Sequence, residues 1–181
     1  YRIISVLLAM LSVVLVSAQE SKLVNLQTEV RFDYQREYLN GDAVKSNSGF
    51  KGKYLNVILN GSFNEHFSYS YRQRLNKAHA DQSFFDATDW IYLTYKLNKN
   101  WSFAGGKQVV GIGGYEYDRA PIDLYFCSEY WNNIPCYQFG VSTTYTTNSG
   151  KDSFMAQFCE SPFNFRNEDL YAYNLMWYGS H

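Results

Sequence analysis

Asn25-Leu26-Gln27-Thr28-Glu29-Val30-Arg31-Phe32-Asp33-Tyr34-Gln35 changes character at every step. Leu26, Thr28, Val30, Phe32 and Tyr34 fall on one side of an extended chain, with Tyr38 beyond them. Asn25, Gln27, Glu29, Arg31, Asp33, Gln35 and Glu37 fall on the other. A period of two sustained this long marks a β-strand with one apolar and one polar face. The pattern recurs downstream. Its apolar sides are Leu55, Val57, Leu59 in 53–61; Phe67, Tyr69, Tyr71 in 65–76; and Ile91, Leu93, Tyr95, Leu97 in 88–97. Trp101 and Phe103 open 101–109, and the stretches 136–146, 152–160 and 169–178 follow the same rule, which predicts eight strands.

Composition narrows the class. The chain has 181 residues, room for one domain or part of one. Lys+Arg 16 against Asp+Glu 17 leaves a formal charge of −1, without the basic excess that a nucleic-acid binder carries. An aromatic content of 19% with 17 Tyr excludes a disordered chain. Residues 3–16, IISVLLAMLSVVLV, follow Arg2 and precede the small residues Ser17 and Ala18. That arrangement reads as a secretory signal peptide over 1–18, cleaved after Ala18, with the exported chain at 19–181.

The connections alternate too. Short, Asn- and Gly-rich links are expected at Gly61–Asn64, Asn98–Asn100 and Thr147–Lys151, and long ones at 40–50, 77–87, 110–135 and 161–168. Short turns on one rim and long loops on the other are the arrangement of outer-membrane barrels. Soluble β-sandwiches also alternate, but with strands of about 5–6 residues. Tyr34, Tyr38, Tyr95, Trp101, Tyr137, Tyr145, Tyr171 and Trp177 gather towards strand ends, as interfacial girdles do. The predicted fold is an all-β, antiparallel, up-and-down transmembrane β-barrel in the outer membrane of a Gram-negative bacterium. Eight strands would close a small, side-chain-filled barrel; as part of a barrel of about 16 they would line a water-filled channel.

Two stretches carry a resemblance. They run from Gly49-Phe50-Lys51-Gly52 through Phe84-Phe85-Asp86-Ala87-Thr88-Asp89-Trp90-Ile91-Tyr92-Leu93, and across Gly105-Gly106-Lys107-Gln108-Val109-Val110-Gly111-Ile112-Gly113-Gly114-Tyr115-Glu116. In their order these segments resemble the phosphate-selective porin O and P family. The resemblance implies a longer chain with about twice as many strands, forming a trimer that passes small, often anionic solutes such as phosphate. The start at Tyr1 and the end at His181, just past a strand, read as those of an N-terminal fragment. The competing reading is a complete eight-stranded barrel with a structural or adhesive role.

Channel-lining candidates on the polar faces are Arg31, Arg72, Arg74, Lys96, Glu29 and Asp33. Arg72 and Arg74, two apart on one face, are expected either to contact solute or to pair within the wall with Glu29 and Asp33. The 110–135 connection is too rich in aromatics for a free outer loop, so Tyr115, Glu116, Asp118, Arg119 and Tyr125 are candidates for a constriction folded into the barrel. Its acids Glu116, Asp118, Asp123 and Glu129 outnumber Arg119, an entrance that would repel phosphate and suits a general porin.

Cys127, Cys136 and Cys159 leave an odd thiol in any pairing. A 147–151 turn centred between Thr147 and Asn148 would set Cys136 opposite Cys159, so a Cys136–Cys159 disulfide is expected, with Cys127–Cys136 as the competitor. His66, His79 and His181 lack metal-ligand spacing, and neither metal nor cofactor is expected. No nucleotide-binding glycine motif is complete. Ser83, Asp86 and Asp89 are the only hint of rim catalysis, and an enzyme is not expected.

Overall fold

A computed structural model describes residues 23–77, 83–114, 116, 123–124, 127–164 and 169–179. The predicted signal peptide lies outside them. Eight strands form one antiparallel sheet in chain order: β1 Asn25–Leu39, β2 Asp42–Ser62, β3 Phe67–Arg74, β4 Thr88–Lys96, β5 Trp101–Val109, β6 Tyr137–Thr146, β7 Asp152–Glu160 and β8 Tyr171–Gly179. This is the up-and-down, all-β architecture expected. Among the described residues the sheet is open, with β1 and β8 as its edges. No helix there is long and apolar enough to cross a membrane.

The two faces are the reverse of a water-soluble protein's. Phe32, Tyr34, Ile91, Leu93, Val141, Phe154 and Leu175 are exposed, whereas Asn56, Arg72, Gln73, Asp89, Gln108 and Gln157 are buried. Alternation therefore sends apolar side chains to the surroundings and polar ones to the interior, the partition a lipid-facing barrel wall requires. Aromatic pairs mark both rims of the apolar face. Phe67–Tyr95 and Trp101–Tyr145, with centroids 5.0 and 4.9 Å apart, lie beside the short turns. Phe85–Phe139 and Phe158–Tyr171, at 5.4 and 5.3 Å, lie beside the long connections.

One row of paired residues crosses the whole sheet: Asn25, Asn60, Ser70, Tyr92, Gly106, Gly140, Cys159 and Ala172. It starts at the short-turn end of β1 and finishes at the long-connection end of β8. The strands are thus strongly staggered, and stagger coupled to strand tilt is the geometry by which sheets curl into barrels.

The short turns share a device. Asn64 accepts hydrogen bonds from the backbone N–H of His66 and Phe67, and Asn98 from those of Asn100 and Trp101. Each side chain thereby mimics a backbone turn. The 40–50 stretch departs from expectation, since strand pairing continues through it to Leu39↔Asp42. Asn40 and Gly41 alone make the turn, with φ of 51° and 92°, the positive values a type I′ hairpin demands. The polar run Lys45–Ser48 hid this strand because it is absorbed as an irregularity between Gln35↔Gly49 and Glu37↔Val44. β2 also outruns β3, whose last pair is Asn56↔Arg74. Beyond it the Asn76 side chain continues the ladder, accepting from Leu55 N–H at 3.3 Å and donating to the Lys53 carbonyl at 2.9 Å.

Candidate functional site

The polar face of β1–β4 carries a balanced ion network. Register places Glu29 opposite Asn56 and Asn56 opposite Arg74, so three strands meet at one level. Asn56 Nδ2 donates to Glu29 Oε2 at 2.9 Å. Arg72 Nε donates to Asp89 Oδ2 at 2.6 Å, Arg74 Nε lies 2.6 Å from Asp89 Oδ1, and Arg72 Nη1 is 3.9 Å from Glu29. Arg72 also sits 4.1 Å over the Trp90 ring and donates to the Tyr137 hydroxyl at 2.8 Å. Its side chain is only 4% exposed, so its charge is answered within the wall. Nearer the hairpin, Arg31 Nε donates to Asp33 Oδ1 at 2.8 Å.

Strict alternation assigns Asp89 to the apolar side with Ile91 and Leu93. An irregularity after Arg72 breaks the register, pairing Arg72 with Trp90 and Gln73 with Thr88, and Asp89 reaches the arginines through it. Tyr137, grouped with the girdle from its strand-end position, instead directs its hydroxyl to Arg72. Lys96 is exposed beside a short turn, and Glu37 lies on the projecting hairpin, its N–H bonded to Ser48 Oγ.

Described parts of the β5–β6 connection touch this polar face. Its start is fastened to β7: Gly111 N–H donates to Gln157 Oε1, and Gln157 Nε2 donates to the Val109 carbonyl, both at 2.8 Å. Gly111 lies so close to β7 and β8 that a Cβ there would stand 3.0 Å from Asn174 and 3.1 Å from Met155. Further along, the Leu124 carbonyl accepts from Arg31 Nη1 of β1 at 2.6 Å. The connection thus touches the inner faces of both edge strands. Glu116 accepts from the Ser128 N–H and hydroxyl at 2.7 and 2.6 Å, and Ser128 caps the short helix α1, Glu129–Asn133. The two ends of the connection meet where Val110 N–H donates to the Cys136 carbonyl at 2.8 Å. Tyr115, Asp118, Arg119 and Tyr125 lie outside the described residues.

Between β2–β4 and the 127–138 stretch lies a pocket of about 670 Å³. Lys53, Arg74, Lys77 and Lys107 line it against Asp86 and Asp89. Burial, and after it the neighbouring Arg74 charge, pushes the Lys77 ammonium below its usual range. Lys107 Nζ donates to the Phe85 carbonyl at 2.6 Å. The acids expected at the entrance, Glu116, Asp123 and Glu129, do not line this pocket, and Asp118 lies outside the described residues. Glu116 is engaged by Ser128 and Glu129 by Asn133, while Lys53 comes from within β2, Lys107 from near the end of β5 and Lys77 from a 3₁₀ turn. Asp86 and Ser83 are used in a capping box, and Asp89 in ion pairs.

The three cysteines are free thiols. The 147–151 turn centres two residues later than expected, with Thr146 opposite Ser153 and Gly150 at φ 71°. Cys159 consequently faces Gly140 instead of Cys136. Its sulfur accepts from Asn174 Nδ2 at 3.6 Å. The expected Cys136–Cys159 bridge is not formed.

An antiparallel wall that is apolar outside and charged inside, with a connecting segment fastened to its inner face, defines a membrane β-barrel of the porin class. A family model for phosphate-selective porin O and P matches residues 24–179, and the chain belongs to that family of Gram-negative outer-membrane porins. Searches of curated proteins and of solved structures find no match.

Proposed function

We propose that the protein is an outer-membrane porin through which small ions and solutes diffuse passively, with a preference for anions such as phosphate. The observation that carries the reading is the β5–β6 connection fastened to the polar face, with a cationic pocket beside it. A charged wall in water and a segment across it set the width and the ion preference of a channel. The wall itself is nearly neutral, because Glu29, Asp33 and Asp89 answer Arg31, Arg72 and Arg74. Ion preference is assigned to the pocket, where Lys53, Lys77 and Lys107 exceed the local acids. The same reading includes export by a signal peptide over 1–18, a mature chain from 19, and assembly as a homotrimer. A non-conducting eight-stranded barrel fits less well, since among the described residues β1 does not pair with β8.

The test is planar-bilayer recording in a KCl gradient, for the full chain and for a variant lacking 114–130. The expected results are a reversal potential of anion-selective sign and a higher conductance in the deletion. Equal conductances would remove the constriction, and a cation-selective sign would remove the anion preference.

A further inference from the structure

The inner wall of β5–β8 holds a buried amide with more hydrogen bonds than the wall itself requires. Gln157 is 4% exposed. Its Oε1 accepts from Gly111 N–H at 2.8 Å and from Asn174 Nδ2 at 3.0 Å, while its Nε2 donates to the Val109 carbonyl at 2.8 Å. Backbone pairing already joins β7 to β6 and β8, with Gln157 opposite Ser142 and Asn174. The Cys159 thiol also lies 3.9 Å from Oε1; two of the four side-chain bonds go elsewhere, to backbone groups where the chain leaves β5. Val109 has just ended the strand, and Gly111 is the first residue laid on the β7–β8 face.

The geometry at Gly111 is matched to this bonding. A Cβ would meet Asn174 at 3.0 Å, Met155 at 3.1 Å and Met176 at 3.2 Å, so glycine permits the close seating that brings its N–H to Gln157. The next glycines, at 113 and 114, have φ of 77° and 112°, values that other residues rarely adopt, and they redirect the chain immediately after the fastening point. A neighbouring wall amide behaves differently. Gln108 bonds Ser142 and the carbonyls of Gly140 and Ala104, all within the sheet.

We propose that Gln157 is a positioning residue for the channel constriction: it holds the first turn of the β5–β6 connection against β7–β8 and thereby sets the open width. The inference rests on the reading of that connection as the constriction. Removing the amide leaves the Gly111 N–H and the Val109 carbonyl without their partner, and a buried unmade bond favours the lifted, water-exposed arrangement of the segment. Lifting widens the passage and lets the segment fluctuate while the wall keeps its backbone ladder.

The experiment is single-channel recording of the full chain, of Gln157→Leu, of Gly111→Ala, of the 114–130 deletion and of the deletion combined with Gln157→Leu. Heat-modifiable electrophoretic mobility confirms folding of each. Gln157→Leu is expected to raise conductance and open-channel noise towards the deletion's values. Gly111→Ala should move both the same way, because it wedges the segment off β7–β8 with Gln157 intact. Adding Gln157→Leu to the deletion should change nothing further, whereas a residue serving only wall stability would act in both backgrounds. Unaltered conductance in a folded Gln157→Leu protein, beside a raised value for the deletion, overturns the proposal and leaves the constriction standing. An unaltered deletion overturns both. If Gln157→Leu fails to fold, Gly111→Ala decides: wild-type conductance there overturns the assignment.

Discussion

Asp89 is the side chain on which the inner wall turns, because one carboxylate answers two guanidinium groups that water barely reaches. Asp89→Asn leaves Arg72 and Arg74 with Glu29 as the remaining acid of the network. Breaking a buried pair by removing one partner costs about 3 kcal/mol or more. The expected outcome is a lower denaturation midpoint, read by guanidinium titration in lipid vesicles, together with a reversal potential displaced in the anion-selective direction. Arg72 and Arg74 were recognisable in the sequence from their two-residue spacing. Their partner was not, since Asp89 has the parity of the lipid-facing residues and reaches the interior only through an irregularity that alternation cannot foresee. Gln157 carries no signal in the sequence for a related reason: nothing local distinguishes it from any polar residue on a strand, and its role depends on Gly111, distant in sequence. Cys127 illustrates the limit of counting thiols. Burial, then the nearby Glu116, pushes its thiol upward, which keeps it protonated and slow to react at neutral pH.

Among elements, the β1–β2 hairpin projects furthest and depends most on its turn. Gly41, at φ 92°, tolerates a β-branched side chain poorly, and such backbone strain costs about 1–3 kcal/mol. Gly41→Val is expected to fray the hairpin tip and speed trypsin cleavage after Lys45 and Lys51 on intact cells, with the rest of the sheet unaffected. Equal cleavage in both proteins would show that pairing along 32–52 holds without the turn. Asn-Gly is a strong hairpin signal, but the polar run that follows it carries no alternation from which a strand could be read. The strands β3 to β8 were legible to within a few residues, although alternation alone misplaces Asp89 in β4. The aromatic content of the β5–β6 connection points to something other than a free loop. Its two fastenings, Arg31 to Leu124 and Gln157 to Gly111, became visible only once the strands were placed side by side.

At the scale of the whole molecule, which face a substitution occupies decides what it does. Leu93 and Thr94 are neighbours in the middle of β4, one on the exposed apolar face and one lining an inner cavity with Tyr92 and Ser102. Leu93→Arg is expected to destabilise the folded protein in bilayers by about 2–4 kcal/mol, as a charge facing hydrocarbon does. Thr94→Arg should leave stability near wild type and reduce conductance, and refolding titrations beside bilayer recordings check the pair. A reversal of the two effects would mean that the faces are assigned the wrong way round. The same alternation governs the journey to the membrane. Because polar residues break up the apolar ones throughout 23–179, no stretch there reaches the run of about 20 that would lodge as a helix in an inner membrane. The apolar surface comes into being only when the strands pair, so the chain can travel as an unremarkable polar polypeptide and acquire its affinity for lipid at its destination.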